Sequence, residues 1–185
     1  MSKGKIIILN GVSSAGKTSL SKTLQEKLNK PYYWFSEDIF REMTPAKYMF
    51  DEDEYEWAWI DSIYAMYHSA IMYSNLGMGV IIDTVMDDDI WLDKMIALFH
   101  DAPALFVHVT CPSEELARRE KERGDRELGL AISQLSELHP LCNTYDIKVD
   151  THASTTDECA DKIIALLGSS DNFQAFKTLW VKRTK

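Results

Sequence analysis

Residues 5–19, which read KIIILNGVSSAGKTS, decide the fold of this chain. Their first part, residues 5–9, is short, β-branched and apolar on both faces, as expected of a buried strand in a parallel sheet. Residues 11–18 follow the pattern GxxxxGK[ST] at every fixed position. Over residues 17–29, leucines then recur at helical spacing until Pro31. A strand, a glycine-rich turn and a helix in this order predict a βα unit whose turn binds phosphate.

The residues of this turn suit a nucleoside triphosphate. Its glycines let the backbone turn tightly and approach phosphate, and its amide groups point inward as an anion site. We expect Lys17 to reach the β- and γ-phosphates and the Thr18 hydroxyl to bind Mg²⁺. The alternative is an ordinary glycine turn that Thr18 caps. The predicted phosphate-binding residues are Gly11, Val12, Ser13, Ser14, Ala15, Gly16, Lys17, Thr18 and Ser19.

Beyond the turn, apolar runs and helical stretches continue to alternate. Strands are predicted at residues 32–35, 80–85, 105–111 and 146–149, and helices at residues 54–76, 90–100, 113–122, 127–138, 156–167 and 172–181. This alternation predicts βαβ crossovers and a parallel sheet, hence an α/β fold. No linker rich in Pro, Gly or Ser interrupts the chain, so we predict one domain over residues 1–185.

Two segments of this domain have their own expected roles. Residues 113–138 form two helices around a glycine turn, and we expect them to act as a mobile lid. Residues 169–185 form a C-terminal helical extension. Its aromatic residues Phe173, Phe176 and Trp180 are expected to pack either on the same chain or on a second subunit. The second alternative would make the protein a homo-oligomer.

Composition narrows the class of protein. The chain has 185 residues, of which 45% are hydrophobic, and a net charge of −9. The negative charge argues against non-specific binding to nucleic acid or anionic lipid, although a local basic cleft stays open. The widely spaced cysteines Cys111, Cys142 and Cys159 do not suggest a disulfide framework. Residues 1–4 lack the pattern of a signal peptide, and no apolar run reaches membrane-spanning length, so we expect a cytoplasmic protein.

Carboxylates follow two of the predicted strands. Asp83 ends the apolar part of the third strand and is expected at the edge of the sheet where ligands bind, supporting Mg²⁺. The alternative is that it caps a helix or a turn. Asp38 follows the second strand and is a candidate general base for an attacking hydroxyl. Either Ser36 or Asp38 is alternatively the N-cap of a short helix, and Glu37 is the rival carboxylate.

Three arginines lie in the predicted lid. Arg119 and Arg123 are four residues apart, so they share a helix face, and Arg126 follows Gly124. Guanidinium groups stabilise the charge of a transferring phosphoryl group. The alternative is a solvated helix laced with Glu–Arg pairs.

Other clusters have weaker functional interpretations. Residues 51–54 are acidic and favour a solvated helix start. Residues 87–89, three aspartates, either cap a helix or face an acceptor pocket, where they would favour a cationic or polyhydroxyl substrate. The aromatic residues Trp57, Trp59, Tyr64 and Tyr67 recur on one predicted helix, where they fill core or wall a pocket.

Several stretches together resemble the chloramphenicol phosphotransferase family of P-loop kinases. They are IIILNG with SSAGK at residues 6–17, FSED at 35–38, IID at 81–83, RE at 119–120, RGDR at 123–126, and YD through VDT at 145–151. The resemblance implies a three-layer P-loop kinase fold with strand order 2-3-1-4-5, helices on both faces of the sheet and a helical lid. It implies ATP and Mg²⁺, and a hydroxyl of an antibiotic-like small molecule as acceptor.

The resemblance also implies Asp38 as the general base and Arg119, Arg123 and Arg126 as lid residues. The sequence departs from the family at Thr84, where a second aspartate is expected, and over residues 87–89. Residues 44–76, which should shape the acceptor pocket, match poorly. Because of these departures, the resemblance does not determine the identity of the acceptor, and chloramphenicol is only one candidate.

The sequence therefore predicts an ATP-dependent kinase of a small molecule. Lys17 and the loop hold the triphosphate, Thr18 and Asp83 hold Mg²⁺, Asp38 activates the acceptor hydroxyl, and the lid arginines close over the site. Alternatives are a P-loop kinase of another metabolite or a non-catalytic nucleotide-binding switch. A guanine-specific switch needs an NKxD-like motif, whereas the fourth strand is followed by Thr110-Cys111-Pro112-Ser113.

Overall fold

Strands and helices alternate along the chain in the computed structural model, which describes residues 2–48, 52–86, 89–124, 128–141, 144–169 and 173–184. The strands are β1 (Ile6–Asn10), β2 (Tyr32–Ser36), β3 (Gly79–Thr84), β4 (Ala104–Thr110) and β5 (Ile147–Asp150). The helices are α1 (Lys17–Lys27), α2 (Glu37–Glu42), α3 (Glu52–Asn75), α4 (Asp89–Phe99), α5 (Ser113–Arg123), α6 (Leu130–Leu141), α7 (Thr156–Ser169) and α8 (Ala175–Arg183), with a 3₁₀ turn at Ala46–Tyr48.

The strands form one parallel sheet in the order β2-β3-β1-β4-β5. Both the α/β class and the strand order are therefore as predicted. The register places Leu9 beside Asp83 and Ser36 on the other side of Asp83. Because all strands run in one direction, the ends of β1, β2 and β3 meet at one edge of the sheet, where ligands bind in such folds.

Helices cover both faces of the sheet. All five residues of β1 are buried, and alternate side chains point to opposite faces. Ile6 and Ile8 pack in a core with residues of α3, α4 and α8, whereas Ile7 and Leu9 pack in a second core with residues of α1 and α7. This three-layer arrangement explains why β1 is apolar at every position rather than at every second one.

Two helices begin later than the sequence pattern predicts. Helix α6 begins at Leu130 rather than at residue 127, because Gly129 adopts a left-handed backbone with φ of 94° just before it. Helix α8 begins at Ala175 rather than at residue 172. The Asp146 carboxylate accepts hydrogen bonds from the backbone N–H groups of Gln174 and Ala175, at 2.7 and 3.0 Å, and so sets that start.

The C-terminal extension packs on its own chain. Phe176 is 2% exposed, and its ring centroid lies 5.7 Å from that of Phe99 and 4.5 Å from that of Phe106. Trp180 stacks on His100 at 4.2 Å. The sequence left open whether these aromatic residues pack on the same chain or on a second subunit. The contacts that the structure describes are with the same chain. No helix in the described ranges combines the length and the apolar character needed to span a bilayer.

Candidate active site

A cavity of about 650 Å³ opens at the edge of the sheet where β1, β2 and β3 end. We call one part of it the loop side, formed by Ser13, Ser14, Gly16, Lys17, Thr18 and Ser19 with Asp83, Arg119 and Thr151. We call the other part the β2 side, formed by Glu37, Asp38, Arg41, Ile63, Tyr67 and Trp91. The cavity therefore joins the predicted phosphate loop to the predicted general base.

The phosphate loop uses its two glycines for different reasons. A Cβ on Gly11 would lie 2.3 Å from the carbonyl oxygen of Val109, so Gly11 lets the loop pass close to β4. Packing against the neighbouring strand is thus one reason for a glycine at this position, and the role of Gly11 in approach to phosphate stays a prediction. Gly16 has φ of 92°, a left-handed conformation that ordinary residues rarely adopt, immediately before α1.

Ser14 carries two signs of a ligand-binding loop. It is a non-glycine residue at φ of 59°, and such backbone conformations concentrate at ligand sites. Its hydroxyl oxygen is buried and has no hydrogen-bond partner among the described residues. A buried hydroxyl without a partner costs free energy, which an oxygen-rich ligand such as phosphate would recover. The loop thus fits a triphosphate chain.

Lys17, Thr18 and Asp83 form one connected group. The Lys17 ammonium donates to the carbonyl oxygen of Val12 at 3.1 Å and lies 3.7 Å from Asp83 Oδ1. The Thr18 hydroxyl donates to Asp83 Oδ2 at 2.9 Å. Asp83 is 7% exposed and lies in β3, so it does not cap a helix. A hydroxyl beside a carboxylate is a donor set that suits Mg²⁺, so the two predicted metal residues, Thr18 and Asp83, lie together.

The predicted lid contacts the loop side through Arg119. Its guanidinium donates to Thr151 Oγ1 and to the Thr151 carbonyl oxygen, both at 3.0 Å. The Thr151 hydroxyl in turn donates to the carbonyl oxygen of Ala15 at 2.8 Å. Thr151 therefore ties the lid to the phosphate loop. Sequence reasoning assigned it no role, although its position just after β5 at the ligand edge was a usable signal.

Glu115 fixes the orientation of Arg119. Hydrogen bonds, first from Arg118 and then from Arg119, lower the pKa of Glu115 to about 2. The charged carboxylate accepts from Arg119 Nε at 2.8 Å. The Glu–Arg pairing that the sequence suggested as an alternative and the place of Arg119 in the cavity therefore coexist. Arg123 lines the same cavity, and Arg126 lies outside the described residues.

Helix α6 is attached to α5 and to the phosphate loop by two side chains that sequence reasoning missed. The Glu120 carboxylate is 1% exposed and accepts from the backbone N–H groups of Gly129 and Ala131, at 2.7 and 2.9 Å. It thereby caps the start of α6. Gln134 Oε1 accepts from the backbone N–H of Ser13 at 2.8 Å. The Glu120 contacts span 9 and 11 residues across a turn, and the Gln134 contact spans 121, so no local pattern indicated them.

On the β2 side, Asp38 projects from the first turn of α2. Ser36, not Asp38, is the N-cap of this helix, since its hydroxyl accepts from Ile39 N–H at 3.2 Å. The Asp38 carboxylate accepts from Arg41 Nη2 at 3.1 Å, and both side chains line the cavity. Asp38 is therefore placed where it can contact a ligand rather than used for capping.

Glu37, the rival carboxylate, is bonded to the end of β3. It accepts from the Thr84 hydroxyl and from the backbone N–H of Val85, the latter at 3.2 Å. The Tyr67 hydroxyl lies 2.9 Å from Thr84 Oγ1. Burial raises the pKa of Glu37 to about 7, despite these hydrogen bonds and the nearby charge of Lys17. Thr84, where the resemblance led us to expect an aspartate, is thus a partner of Glu37.

The rest of the β2 side is apolar and aromatic. Ile63 and Tyr67 of α3 are 4% and 1% exposed, so they belong to the core and also line the cavity. Trp91 of α4 lines it too and packs edge-to-face on Tyr64 at 5.4 Å. The structure does not describe the side chains of Trp57 and Trp59, nor those of the acidic clusters at residues 51–54 and 87–89, so their predicted roles stay predictions.

Asn10 and Tyr145, two residues of the motifs that carry the resemblance, meet beneath the cavity. Asn10 is fully buried, donates to the Tyr145 hydroxyl at 3.0 Å, and accepts from Met86 N–H at 2.8 Å. It thereby links β1 to the segments that follow β3 and precede β5. These two motif residues hold the edge of the sheet together rather than lining the cavity.

Solved structures share this architecture. An APS kinase from Mycobacterium tuberculosis, solved with AMPPNP and APS, superposes with a TM-score of 0.70 at 19% identity, covering 91% of this chain and 100% of that one. Shikimate kinase from Acinetobacter baumannii, solved with shikimate, gives a TM-score of 0.63 at 18% identity, covering 90% and 94%. At these identities the likeness shows the fold alone, which is that of P-loop kinases.

Sequence relatives narrow the family. A Mycobacterium tuberculosis protein with the provisional name O-phosphotransferase is 32% identical over 186 residues, covering 88% of this chain and 82% of its own length. The family model for chloramphenicol phosphotransferase-like proteins matches residues 4–167. Within the P-loop kinase fold, the chain therefore belongs to the chloramphenicol phosphotransferase-like family.

Proposed function

We propose that this protein is a cytoplasmic, ATP-dependent phosphotransferase that moves the γ-phosphoryl group of ATP to a hydroxyl of a small molecule. The observation that carries the proposal is that the phosphate loop and the Asp38 carboxylate line the same cavity. A nucleotide-binding switch needs only the loop side. The β2 side adds a walled space and carboxylates, which a phosphoryl acceptor requires.

The loop side would hold the nucleotide. Backbone N–H groups of the loop, the buried Ser14 hydroxyl and the Lys17 ammonium donate to phosphate oxygens, whereas the Ser13 N–H donates to Gln134. Thr18 and Asp83 would hold Mg²⁺, which supplies charge neutralisation at the β- and γ-phosphates. The ion pair with Asp83 keeps the Lys17 ammonium at the loop, so this positive charge is in place before the nucleotide binds.

Asp38 orients the acceptor hydroxyl and takes its proton. The hydroxyl oxygen attacks the γ-phosphorus, the bond from that phosphorus to the bridging oxygen breaks, and ADP leaves with the bond's electrons. Arg41 Nη2 donates to Asp38 Oδ1 and so helps to fix the orientation of the carboxylate in the cavity. Glu37 is the alternative base, but it is engaged by Thr84 and Val85.

The segment of residues 113–138 acts as a lid on this single domain of residues 1–185. Arg119 and Arg123 line the cavity, and Arg126 follows them in sequence. Their guanidinium groups neutralise charge on the transferring phosphoryl group and help to exclude water when the lid closes. The Arg119–Thr151 contact already brings the lid to the phosphate loop.

The acceptor is a hydroxylated small molecule, with chloramphenicol or another antibiotic as the first class to test and other metabolites as the second. The cavity volume of about 650 Å³ accommodates the triphosphate and part of a drug-sized compound. Ile63, Tyr67 and Trp91 offer the acceptor an apolar and aromatic wall. The family membership supports the antibiotic class.

A screen for acceptor-dependent consumption of ATP tests this function. The protein is incubated with ATP, Mg²⁺ and a panel of hydroxylated antibiotics and metabolites, and mass spectrometry looks for a product heavier by one phosphate. We expect at least one phosphorylated product, which a parallel reaction with Lys17→Ala does not form. Slow ATP hydrolysis that no acceptor accelerates, together with a partner protein bound only in the presence of nucleotide, would favour the switch.

A further inference from the structure

Gln134 is a neutral side chain of the lid that contacts the phosphate loop directly. Its Oε1 accepts a hydrogen bond from the backbone N–H of Ser13 at 2.8 Å, and the residue lines the cavity. Neither the glycine motif nor the family motifs assigned it a role.

The contact fixes which way the Gln134 amide faces. A backbone N–H can only donate, so the amide oxygen must be the atom that faces Ser13. The Nε2 group of the same amide then faces away from that N–H, and within the described part of the chain no acceptor is bonded to it. Gln134 thus presents two N–H donors at the wall of the cavity.

The helix that carries Gln134 is held in place by contacts other than this one. The Glu120 carboxylate caps its start through Gly129 and Ala131. Ala131 is fully buried in the core beneath the lid, and Leu135 packs against the same core. Since Leu130 and Gln134 are one turn apart and both line the cavity, this helix points one face into the core and another into the site.

The position of Ser13 indicates which phosphate Gln134 would meet. In this kind of loop the backbone N–H groups cradle the α- and β-phosphates, and the lysine side chain reaches the β- and γ-phosphates. Ser13 lies at the opposite end of the loop from the helix start at Lys17. Because the loop amides serve the α- and β-phosphates, the γ-phosphate is the group left to side-chain donors, and Gln134 supplies such a donor beside the loop.

We propose that Gln134 binds the γ-phosphate of the nucleotide, donating from Nε2 while Oε1 stays on Ser13, so that the lid distinguishes a triphosphate from a diphosphate. This inference rests on the proposed nucleotide-binding function of the loop. It assigns to the lid a residue that contacts the transferable phosphate only when a triphosphate is bound. A hydrogen bond to a charged acceptor is among the stronger ones, so its loss should be measurable in nucleotide affinity.

Calorimetric titration of the full chain with AMPPNP and with ADP, each with Mg²⁺, tests the inference. For Gln134→Leu we expect AMPPNP affinity to fall by about 10-fold or more, with ADP affinity changed by less than about twofold. Gln134→Glu keeps an acceptor for Ser13 but replaces the donor with a negative charge. It should weaken AMPPNP binding further, and more than ADP binding. Gln25→Leu, which removes an exposed glutamine of α1, is the matched control and should change neither affinity.

The outcomes separate this inference from the proposed function. Equal losses for the two nucleotides in both Gln134 variants would mean that Gln134 only supports the loop, and unchanged affinities would remove it from the site. Either result overturns the inference while leaving nucleotide binding intact. A wild-type chain that binds neither nucleotide overturns the proposed function as well. Circular dichroism of each variant identifies a folding failure, and the glutamate variant, similar in shape to the wild type, then decides the question.

Discussion

The two sides of the cavity are built in different ways. The loop side takes most of its groups from one continuous turn, residues 11–19, between β1 and α1. The β2 side takes its groups from α2, α3 and α4, which lie on separate parts of the chain. The loop side therefore depends mainly on one local strand–turn–helix unit, whereas the β2 side exists only once three helices have packed together.

The two sides also differ in how their charges are balanced. On the loop side, Lys17 faces Asp83, and the lid brings Arg119 to Thr151. This arrangement offers positive charge to a polyanion. On the β2 side, Asp38 is paired with Arg41, and burial holds the pKa of Glu37 at about 7. The β2 side is thus close to electrical balance, which suits an acceptor that carries less charge than a triphosphate.

The largest effect that separates the two sides is expected from Asp38→Asn. The change removes the proposed base and keeps the shape of the side chain, so kcat should fall by about 10²- to 10⁴-fold. AMPPNP affinity should stay within about twofold, because the loop side is untouched. Steady-state kinetics with the acceptor found in the screen and nucleotide titration give the two values. Unchanged turnover would move the base elsewhere, with Glu37 as the first alternative.

Lys17→Ala is expected to reduce both nucleotide affinity and rate, and its loss of rate should be somewhat smaller than that of Asp38→Asn. Removing one preorganised donor to the transferring group should lower kcat/KM by about 10²- to 10³-fold. Unlike the Asp38 change, it should also weaken AMPPNP binding. Lys22→Ala, on the exposed face of the same helix, is the control. If Lys17→Ala left nucleotide affinity and rate as they are, the loop would not be the phosphate site.

The smallest effect concerns stability and its dependence on pH at Glu37. The folded pKa of about 7 lies above the ordinary value of 4.5, so the folded state holds the proton more tightly than the unfolded chain. Stability is greatest below the ordinary pKa and is lost as pH rises towards and through 7. Glu37→Gln removes this loss. Relative to wild type, it should gain about 1–3 kcal/mol in free energy of unfolding between pH 4.5 and pH 8.

Urea unfolding of both proteins at several pH values in this window measures that gain. The glutamine keeps an oxygen that can accept from Thr84 and Val85, so the hydrogen bonds seen for Glu37 are retained in kind. A difference in stability that is the same at pH 4.5 and at pH 8 would contradict a raised pKa. It would then leave Glu37 as an ordinary charged residue of the β2 side.

The parts of the fold that sequence reasoning predicted share a local cause. The buried strand β1 was evident because it is apolar on both faces, and α1 because its leucines recur before Pro31. The start of α6 was predicted three residues early, because the left-handed Gly129 and the cap from Glu120 act across a turn. The start of α8 was missed for a similar reason, since its capping group, Asp146, precedes β5.

The sequence alone determined the phosphate loop, the α/β class and the positions of Asp83 near the end of β3 and Asp38 just after β2, since each depends on residues that are neighbours along the chain. Only the tertiary structure decided that Ser36 rather than Asp38 caps α2, that Thr151 ties the lid to the loop, and that Gln134 contacts Ser13 from 121 residues away. Those contacts arise when helices pack on a sheet. Hydrophobic periodicity predicts which face of a helix is buried, but it does not predict which polar groups from distant parts of the chain then come into contact.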